Sequence, residues 1–436
     1  MNTEEGLKRE IGLAGLTSNI INTVIGAGIF VLPAIVSEGL GAAGILAYLF
    51  CGFLIAIVMM CFAEAGSKIT ITGGAYAYIE AAFGRYFGFL TTNLFIFGAS
   101  LMATAAVANA IADTLSYFIP VLADKLYRTL FFIILFSILT ITNVVGVKQG
   151  ITLVKVTTVA KLTPLLLLVC LGSFHGKLVN LAWDYIPSVE NFGKVSLLLF
   201  FAFQGAENSL SVSGEVKNPG KTIPKSILLS ITVVLLIYTG VQLVAQSVLG
   251  NSLAGFKKAP LAAVAEKIAG PYGATIMIIG AAVSMFGYLS SDILNMPRVL
   301  FRSAVDNVIP IKPLAKVSAR YATPYISIIA FTSLGCFVSV TGEFRQLAIL
   351  STSSVLMIYL GVALAVIKLR MTNQPGSSTF KVRGGLLIPI LSVVIIIWFL
   401  TNLTLKESTA MLFFIAVLSL VYYILKLLKL NKSNSA

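Results

Sequence analysis

Long apolar stretches separated by short polar connections run along the whole 436-residue chain. A helix needs ~20 mostly apolar residues to cross a bilayer, and a chain in lipid must satisfy its backbone hydrogen bonds internally. The alternating segments of about ten residues that are typical of a membrane β-barrel are not visible, so we expect an all-α polytopic membrane protein. The pattern predicts twelve transmembrane helices, at roughly 11–36, 41–66, 82–112, 128–146, 151–173, 193–214, 225–250, 272–302, 323–340, 344–370, 383–401 and 408–430.

Two of the predicted helices are interrupted in their middle. The first contains Gly26-Ala27-Gly28 within "IINTVIGAGIFVLP", and the sixth contains the polar run Gln204–Asn208 within "FFAFQGAENSL". Glycine in a helix interior costs about 1 kcal/mol relative to alanine, so the backbone is expected to unwind at both places. The alternative is that the glycines only permit close packing of helices.

The two interruptions divide the chain into two similar blocks. Gly26 and Gly205 are 179 residues apart, and each opens a block of five predicted helices. Interrupted helices at matching positions of two halves indicate the binding site of a secondary transporter. Because five is an odd number, the second block enters the membrane in the opposite sense, which predicts an inverted repeat. The predicted units are an N-terminal tail at 1–10, a first five-helix repeat at 11–173, a second at 193–370, helices 11 and 12 at 383–430, and a C-terminal tail at 431–436.

An unwound segment in the middle of a membrane exposes the ends of two half-helices. The backbone NH groups that start one half-helix carry partial positive charge, and the carbonyl groups that end the other carry partial negative charge. A zwitterion satisfies both groups, and glycine allows its atoms to approach the backbone closely. The interruptions therefore predict a site for an α-amino acid that requires no charged side chain.

The distribution of basic residues indicates the topology. The chain is 58% hydrophobic and 11% charged, with a formal net charge of +14, and 20 of its 31 Lys and Arg residues fall in the two tails and the even-numbered connections. Nine fall in the odd-numbered connections. By the positive-inside rule both termini are cytoplasmic, in a multi-pass protein of the cytoplasmic (inner) membrane. The basic balance is thus explained by the lipid bilayer, and no nucleic-acid partner is expected.

The sequence contains none of the motifs that are typical of disulfide-bonded, metal-binding, ATP-driven or metalloprotease proteins. The four cysteines fall within predicted spans at unrelated spacings, which predicts neither a disulfide framework nor a metal site. The chain contains no G-x-x-x-x-G-K-[ST] phosphate loop and no H-E-x-x-H motif. We therefore expect no cofactor, no metal and no enzymatic activity, and an ion gradient or an exchange reaction as the driving force.

Five stretches resemble motifs of a known family. They are "NTVIGAGIFVLP" (22–33), "ITGGAYAYIEAAFGRYFGF" (71–89), "GVKQGITLVKVTTVAKL" (146–162), "FQGAENSLSVSGEVKNPGKTIP" (203–224) and "MPRVLFRSAVDNVIP" (296–310). In this order they resemble the amino acid–polyamine–organocation (APC) family of permeases, most closely its bacterial branch related to cationic amino acid transporters. The resemblance implies a LeuT-type 5+5 inverted repeat with discontinuous helices 1 and 6, two extra C-terminal helices, and alternating access to a central site.

The resemblance also implies where a substrate would bind. Its carboxylate would meet the first NH groups of the second half of helix 1, its ammonium would meet carbonyls at both breaks, and an aromatic ring of helix 6 would close over it. Small residues of helix 3 would line the pocket for its side chain. The residues at these positions are Ala27, Gly28 and Ile29 for the carboxylate, Val24, Phe201 and Gln204 for the ammonium, Phe201 or Phe203 for the ring, and Gly98, Ala99 and Ala103 for the pocket.

Three ionisable residues fall deep within predicted spans, where such groups are functional by default. Lys161 lies about ten residues into helix 5, too deep to snorkel, and desolvation there disfavours its charged form. In proton-coupled relatives, a lysine at this point reaches the unwound part of helix 1, which makes Lys161 the candidate for proton coupling. Glu207 beside the second break could relay a proton or make a structural hydrogen bond. Asp292 in helix 8 could contact the substrate or pair with a buried partner, which leaves the charge of the substrate open.

These features predict an amino acid permease, coupled to protons through Lys161. The alternative within transporters is an amino acid or amine exchanger without obligatory proton coupling. A non-transporting amino acid sensor is a third possibility, but the connections are too short to hold a signalling domain.

Overall fold

The computed structural model describes residues 11–69, 74–145, 151–183, 186–209, 216–306, 308–309, 311–372, 381–382 and 384–433. Apart from an isolated bridge between Ile11 and Val216, every regular element of these residues is helical. The helices are α1 Leu13–Val24, α2 Gly28–Leu40, α3 Gly44–Lys68, α4 Ala75–Phe83, α5 Arg85–Asn93, α6 Leu101–Leu115, α7 Lys125–Val145, α8 Ile151–Gly172, α9 Val189–Leu199, α10 Ala206–Ser209, α11 Pro219–Leu249, α12 Pro260–Val305, α13 Tyr325–Thr341, α14 Phe344–Met371, α15 Leu387–Thr401 and α16 Leu405–Ser433.

Many of these helices are long and apolar enough to cross a membrane. Within the described ranges, seven helical stretches have the length and composition of a span. Three shorter apolar helices cover 159–172, 325–341 and 387–401. The all-helical, multi-span character predicted from the apolar pattern is therefore confirmed.

Several boundaries differ from the sequence-based prediction for local reasons. The third span was expected to start at residue 82, but Gly84 adopts a φ of 90° and separates α4 from α5. The sixth was expected to start at residue 193, whereas α9 begins at Val189 because the hydroxyl of Ser188 accepts a hydrogen bond from the Asn191 backbone NH. Helix α12 starts before the predicted span at 272 and bends at Ala269 and Gly270. The N-terminal tail at 1–10 lies outside the described residues, while α16 continues through Ser433.

Helices of the first half pack against helices of the second half. Side-chain hydrogen bonds join them at several separations along the chain. Five of these bonds connect residues 186 to 194 apart, namely Thr23–Ser209, Thr104–Asp292, Ser100–Asp292, Thr140–Thr332 and Tyr48–Gln242. Others, such as Ser37–Gln246 and Glu38–Lys257, connect residues 209 and 219 apart. The resulting core surrounds the non-helical segments between α1 and α2 and between α9 and α10.

Candidate functional site

Two interrupted helices meet at the centre of the bundle. Helix α1 ends at Val24 and α2 starts at Gly28, while the short 3-10 helix Phe200–Phe203 that follows α9 ends just before α10 starts at Ala206. The first segment of each interrupted helix lies against the second segment of the other, since α1 contacts α10 and α2 contacts Phe200–Phe203. The four segment ends therefore converge on one region.

Glycine is required at both crossings because the two chains approach each other closely. A Cβ atom at Gly28 would lie 2.6 Å from the Cα atom of Ala202. A Cβ atom at Gly205 would lie 2.6 Å from the carbonyl oxygen of Thr23, and Gly205 itself has a φ of 111°, which L side chains rarely adopt. Each broken helix thus has one glycine that packs against the backbone of the other broken helix.

The start of α2 presents backbone NH groups without a capping side chain. Ala27 is its N-cap residue and makes no side-chain cap hydrogen bond, and the first turn contains no acidic residue. A helix N-terminus in this condition favours an anion, because its NH groups are unpaired within the helix and carry partial positive charge. The arrangement can receive a carboxylate.

The end of α1 is held by two side chains from other helices. Lys161 of α8 donates from Nζ to the carbonyl oxygens of Asn22 (2.6 Å) and Ile25 (2.9 Å), and its side chain is 5% exposed. The hydroxyl of Tyr238 on α11 lies 3.2 Å from the Val24 carbonyl oxygen and 2.9 Å from that of Ala202. Tyr238 therefore links the two breaks directly, and Lys161 supplies a cation to the carbonyl end of α1.

The second break is fixed by side chains of α14. Gln204 donates from Nε2 to Thr352 Oγ1 (2.6 Å) and accepts from the Ser351 hydroxyl (3.4 Å). Glu207 accepts through Oε2 from the Tyr359 hydroxyl (2.6 Å) and from the Gly205 backbone NH (3.0 Å). These bonds hold the amide and the carboxylate in fixed positions beside the cavity.

Asp292 of α12 is a buried carboxylate bound by two hydroxyl groups. Its Oδ2 atom accepts from Ser100 (2.7 Å) and from Thr104 (2.5 Å), and its side chain is 6% exposed. None of the salt bridges found in the described parts of the chain includes Asp292. Ser100 ends a π-helical segment, Leu94–Ser100, of which Phe95, Ala99 and Ser100 line the cavity.

A cavity of about 50 Å³ lies between these elements. Most of the predicted site residues line it, namely Val24, Gly26, Ala27, Gly28, Ala99, Ala103, Phe201, Gln204, Gly205, Glu207 and Asp292. The remaining lining residues were not singled out from the sequence: Thr23, Phe95, Ser100, Val107, Ala202, Asn208, Tyr288, Ser351 and Val355.

Four predicted residues do not line this cavity. Ile29 is fully buried and is not part of the lining, and Gly98 packs closely against Ser354, whose Oγ atom would overlap with an added Cβ atom. The ring of Phe203 packs against Tyr48 and Tyr238, so of the two phenylalanines only Phe201 lines the cavity. Lys161 is also absent from the lining because its ammonium group is bonded to the end of α1.

The site residues that could not be identified from the sequence contact groups on other helices. Tyr238 and Tyr288 lie in apolar spans, where a tyrosine is indistinguishable from core packing, and Ser100 and Thr104 resemble ordinary small helix residues. The i, i+4 spacing of Ser100 and Thr104 is a weak signal, because it puts both hydroxyls on one face of a helix. No cluster of three or more His, Cys, Asp or Glu residues that could bind a metal ion is found in the described ranges.

The fold and the site define a multi-span membrane protein with a small cavity at two facing helix breaks, where a few polar groups lie among apolar side chains. The family model described as amino acid permease matches residues 11–425, and the chain therefore belongs to this family. It is an amino acid transporter of the APC superfamily and not an enzyme, as the motifs predicted.

Characterised relatives are similar over nearly the whole chain. The serine/threonine exchanger SteT of Bacillus subtilis is 27% identical over 90% of this chain and 91% of its own length. The branched-chain amino acid permease BcaP of the same organism is 26% identical over 99% of this chain and 96% of its own. The human Asc-type amino acid transporter 1 is 27% identical over 89% of this chain and 76% of its own.

Proposed function

We propose that this protein is a proton-coupled secondary transporter that carries small amino acids by alternating access. The observation that carries the proposal is the contact of the Lys161 ammonium group with the carbonyl end of α1, beside the break that begins the cavity. The transporter has the LeuT-type architecture of twelve spans, with two inverted five-helix repeats and two additional C-terminal helices. In this proposal the protein is located in the inner (cytoplasmic) membrane, with both termini on the cytoplasmic side.

The inverted repeat is supported by the contacts between the two halves. In a pseudo-two-fold arrangement, residues near the axis contact their own equivalents, so the contacting pairs share a similar separation along the chain. The five side-chain hydrogen bonds at separations of 186 to 194 residues fit this expectation. Gly26 and Gly205, one glycine from each break, are 179 residues apart, which is close to these separations.

The main chain of the two breaks recognises the α-amino and α-carboxyl groups. The uncapped NH groups at the start of α2, from Ala27 to Ile29, receive the carboxylate. Carbonyl groups at the breaks receive the ammonium group, assisted by the Glu207 carboxylate at the cavity wall. Recognition through the main chain leaves the side-chain pocket as the source of selectivity.

The side-chain pocket favours a short substrate with a hydrogen-bond donor. Phe95, Ala99, Ala103 and Val107 leave little space in a cavity of about 50 Å³. Asp292 is an acceptor in this pocket, and an ionised carboxylate accepts more hydrogen bonds than Ser100 and Thr104 supply. A hydroxyl or a small ammonium group on the substrate can donate a further hydrogen bond to Asp292. Serine and threonine have a side-chain hydroxyl of this kind.

Proton coupling follows from the position of Lys161. When it is protonated, its ammonium group stabilises the carbonyl end of α1 and thereby the shape of the break. Loss of the proton removes this cation and allows α1 to move relative to α8. Because burial disfavours the charged form, the lysine can gain and lose its proton within the transport cycle.

The test uses purified protein in proteoliposomes, with amino acid uptake driven by an imposed pH gradient. Lys161→Ala should reduce this uptake by about tenfold or more, while exchange of external for internal substrate continues. Lys194→Ala removes an exposed lysine bonded to Glu190 and serves as the matched control, which should retain coupling. Unchanged pH-driven uptake in Lys161→Ala would refute the coupling role.

An exchanger is the second candidate, since one relative is named a serine/threonine exchanger. In that case the gradient of one amino acid drives the movement of another, and Lys161 only stabilises the break. Counterflow separates the two functions: an obligatory exchanger shows no net uptake into vesicles that lack internal substrate, whatever the pH gradient.

A further inference from the structure

A second cavity lies at the C-terminal end of α2 and has a volume of about 290 Å³. Its walls come from the last turn of α2 with the following turn at 41–43, from Trp183 in the connection before α9, and from the 3-10 turn Gly250–Gly255 after α11. None of its lining residues lines the cavity between the helix breaks. Its residues are Ser37, Glu38, Leu40, Gly41, Ala42, Ala43, Trp183, Asn251 and Ala254.

Hydrogen bonds beside the cavity connect α2, α11 and the 3-10 turn Leu178–Leu181 that precedes Trp183. Ser37 donates from its hydroxyl to Gln246 Oε1 (2.9 Å), and Gln246 donates from Nε2 to the Asn180 carbonyl oxygen (3.4 Å). Asn180 in turn donates from Nδ2 to the Ser247 carbonyl oxygen (2.8 Å). These bonds connect α2 with α11 and with the segment that leads to Trp183, and α2 also contacts the turn Gly250–Gly255.

The lining combines negative charge with an aromatic face. Glu38 contributes a carboxylate, and Leu40 and Gly41 lie at the end of α2, where the carbonyl groups carry partial negative charge. Trp183 is half exposed and presents an indole, the best aromatic partner for a cation. The residues that line this cavity include no lysine or arginine.

We propose that this cavity is a binding site for a small organic cation with a primary ammonium group. The ammonium group bonds to the Glu38 carboxylate, and its alkyl part lies against the ring of Trp183. The protein already shows the carboxylate half of this interaction, because Lys257 donates from Nζ to Glu38 Oε1 at 2.6 Å. Lys257 lies outside the cavity lining, so it acts as an internal competitor that an incoming amine displaces.

The test uses the intrinsic fluorescence of Trp183. The chain contains two tryptophans, and Trp398→Phe leaves Trp183 as the only one, with a conservative change in an aromatic cluster of Phe50, Phe192 and Phe399. The protein is titrated with n-butylammonium chloride, with n-butanol as the neutral isostere and potassium chloride at equal ionic strength. A saturable fluorescence change with n-butylammonium alone supports the site, and an equal change with n-butanol or potassium chloride overturns it.

Two variants must shift the affinity in opposite directions. Glu38→Gln removes the charge of the acceptor and should weaken binding by about tenfold, because hydrogen bonds between charged groups are stronger than those to a neutral amide. Lys257→Ala removes the competitor and should tighten binding severalfold. Unchanged affinity in Glu38→Gln, or weaker binding in Lys257→Ala, would overturn the proposal.

Two further measurements exclude other sources of the signal. Asp292→Asn alters the cavity between the breaks and should leave the response unchanged, whereas loss of the response would assign it to that cavity. If Trp398→Phe lowers the folded yield, the wild-type protein is titrated against Trp183→Phe as the blank. A response that persists in Trp183→Phe rejects the site at the end of α2.

Discussion

Gly28 at the start of α2 lies directly against Ala202 in the other broken helix, so close that a Cβ atom at position 28 would stand 2.6 Å from both the Cα and the Cβ atom of Ala202. The contact joins the two broken helices at the place where the NH groups of α2 begin. Its counterpart is Gly205 against the carbonyl oxygen of Thr23. Neither glycine can accept a side chain without a shift of the opposing backbone.

Gly28→Ala is therefore expected to impair binding through this contact. The added methyl group must separate α2 from Ala202, which moves the NH groups away from the substrate carboxylate and lowers affinity by about tenfold or more. The measurement is a thermal-shift titration of the purified protein with candidate amino acids, since a ligand that binds only the folded state stabilises it. Gly255→Ala is the control, because no atom lies within 4 Å of a Cβ atom there. Normal affinity in Gly28→Ala would contradict the proposed position of the carboxylate.

Asp292→Asn is expected to change selectivity more than overall activity. The amide keeps an oxygen acceptor for Ser100 or Thr104 but lacks the negative charge that attracts a donor on the substrate. Apparent affinity for serine, threonine or a small cationic amino acid should fall by about tenfold, with little change for alanine. Competition of unlabelled amino acids against labelled substrate measures the change. An equal loss for all substrates would mean that Asp292 supports the helices and does not contact the substrate.

Tyr238→Phe is expected to loosen the junction of the two breaks. Its hydroxyl is within hydrogen-bond distance of the carbonyl oxygens of Val24 and Ala202, and its removal leaves buried carbonyl groups without this donor. Such a loss costs about 1–3 kcal/mol, which should lower Tm and reduce the stabilisation by ligand. Tyr272→Phe, at a residue that is 84% exposed, should leave both quantities unchanged. An unaltered Tm in Tyr238→Phe would show that the two breaks hold their positions without this hydroxyl.

Glu64→Gln is expected to destabilise one end of the bundle. Glu64 on α3 is fully buried, forms a salt bridge with Arg370 of α14, lies 3.4 Å from Lys68 and accepts from the Val382 backbone NH. Neutralising one member of a buried pair leaves the other charge uncompensated and costs about 3–5 kcal/mol.

The corresponding measurement is Tm in detergent, with Glu190→Gln as the matched control. Glu190 also pairs with a lysine, Lys194, but at a site where both side chains are largely exposed. An exposed pair contributes about 0–1 kcal/mol, so this variant should melt like the wild type. Equal melting of the Glu64 and Glu190 variants would refute the structural role of the buried pair.

The helix breaks and the deep ionisable groups could be predicted because they violate the local pattern. Glycine pairs and charged residues are unfavourable inside an apolar span, so Gly26, Gly28, Lys161 and Asp292 are visible without any knowledge of tertiary contacts. Several residues that line the cavity could also be predicted, because they are neighbours of the two breaks in the sequence. A functional residue can therefore be predicted from the sequence where it destabilises an ordinary apolar helix and needs a special environment.

The partners of these residues could not be predicted in the same way. Tyr238, Ser100 and Thr104 are compatible with an ordinary span, and their roles depend on which helices become neighbours. The same holds for the choice between Phe201 and Phe203, which are two residues apart at the end of a 3-10 helix and face different surroundings. The π-helical turn at Leu94–Ser100 likewise turns Gly98 toward Ser354 and away from the cavity.

The ammonium group of Lys161 is a cation that is covalently attached to the chain and lies at the carbonyl end of α1. A free metal ion would have to bind from the surroundings on every cycle, whereas in the proposed mechanism this cation stays attached to the chain and only its protonation changes. The working range of the protein should therefore depend on acidity and remain indifferent to whether sodium or potassium salts surround the cell.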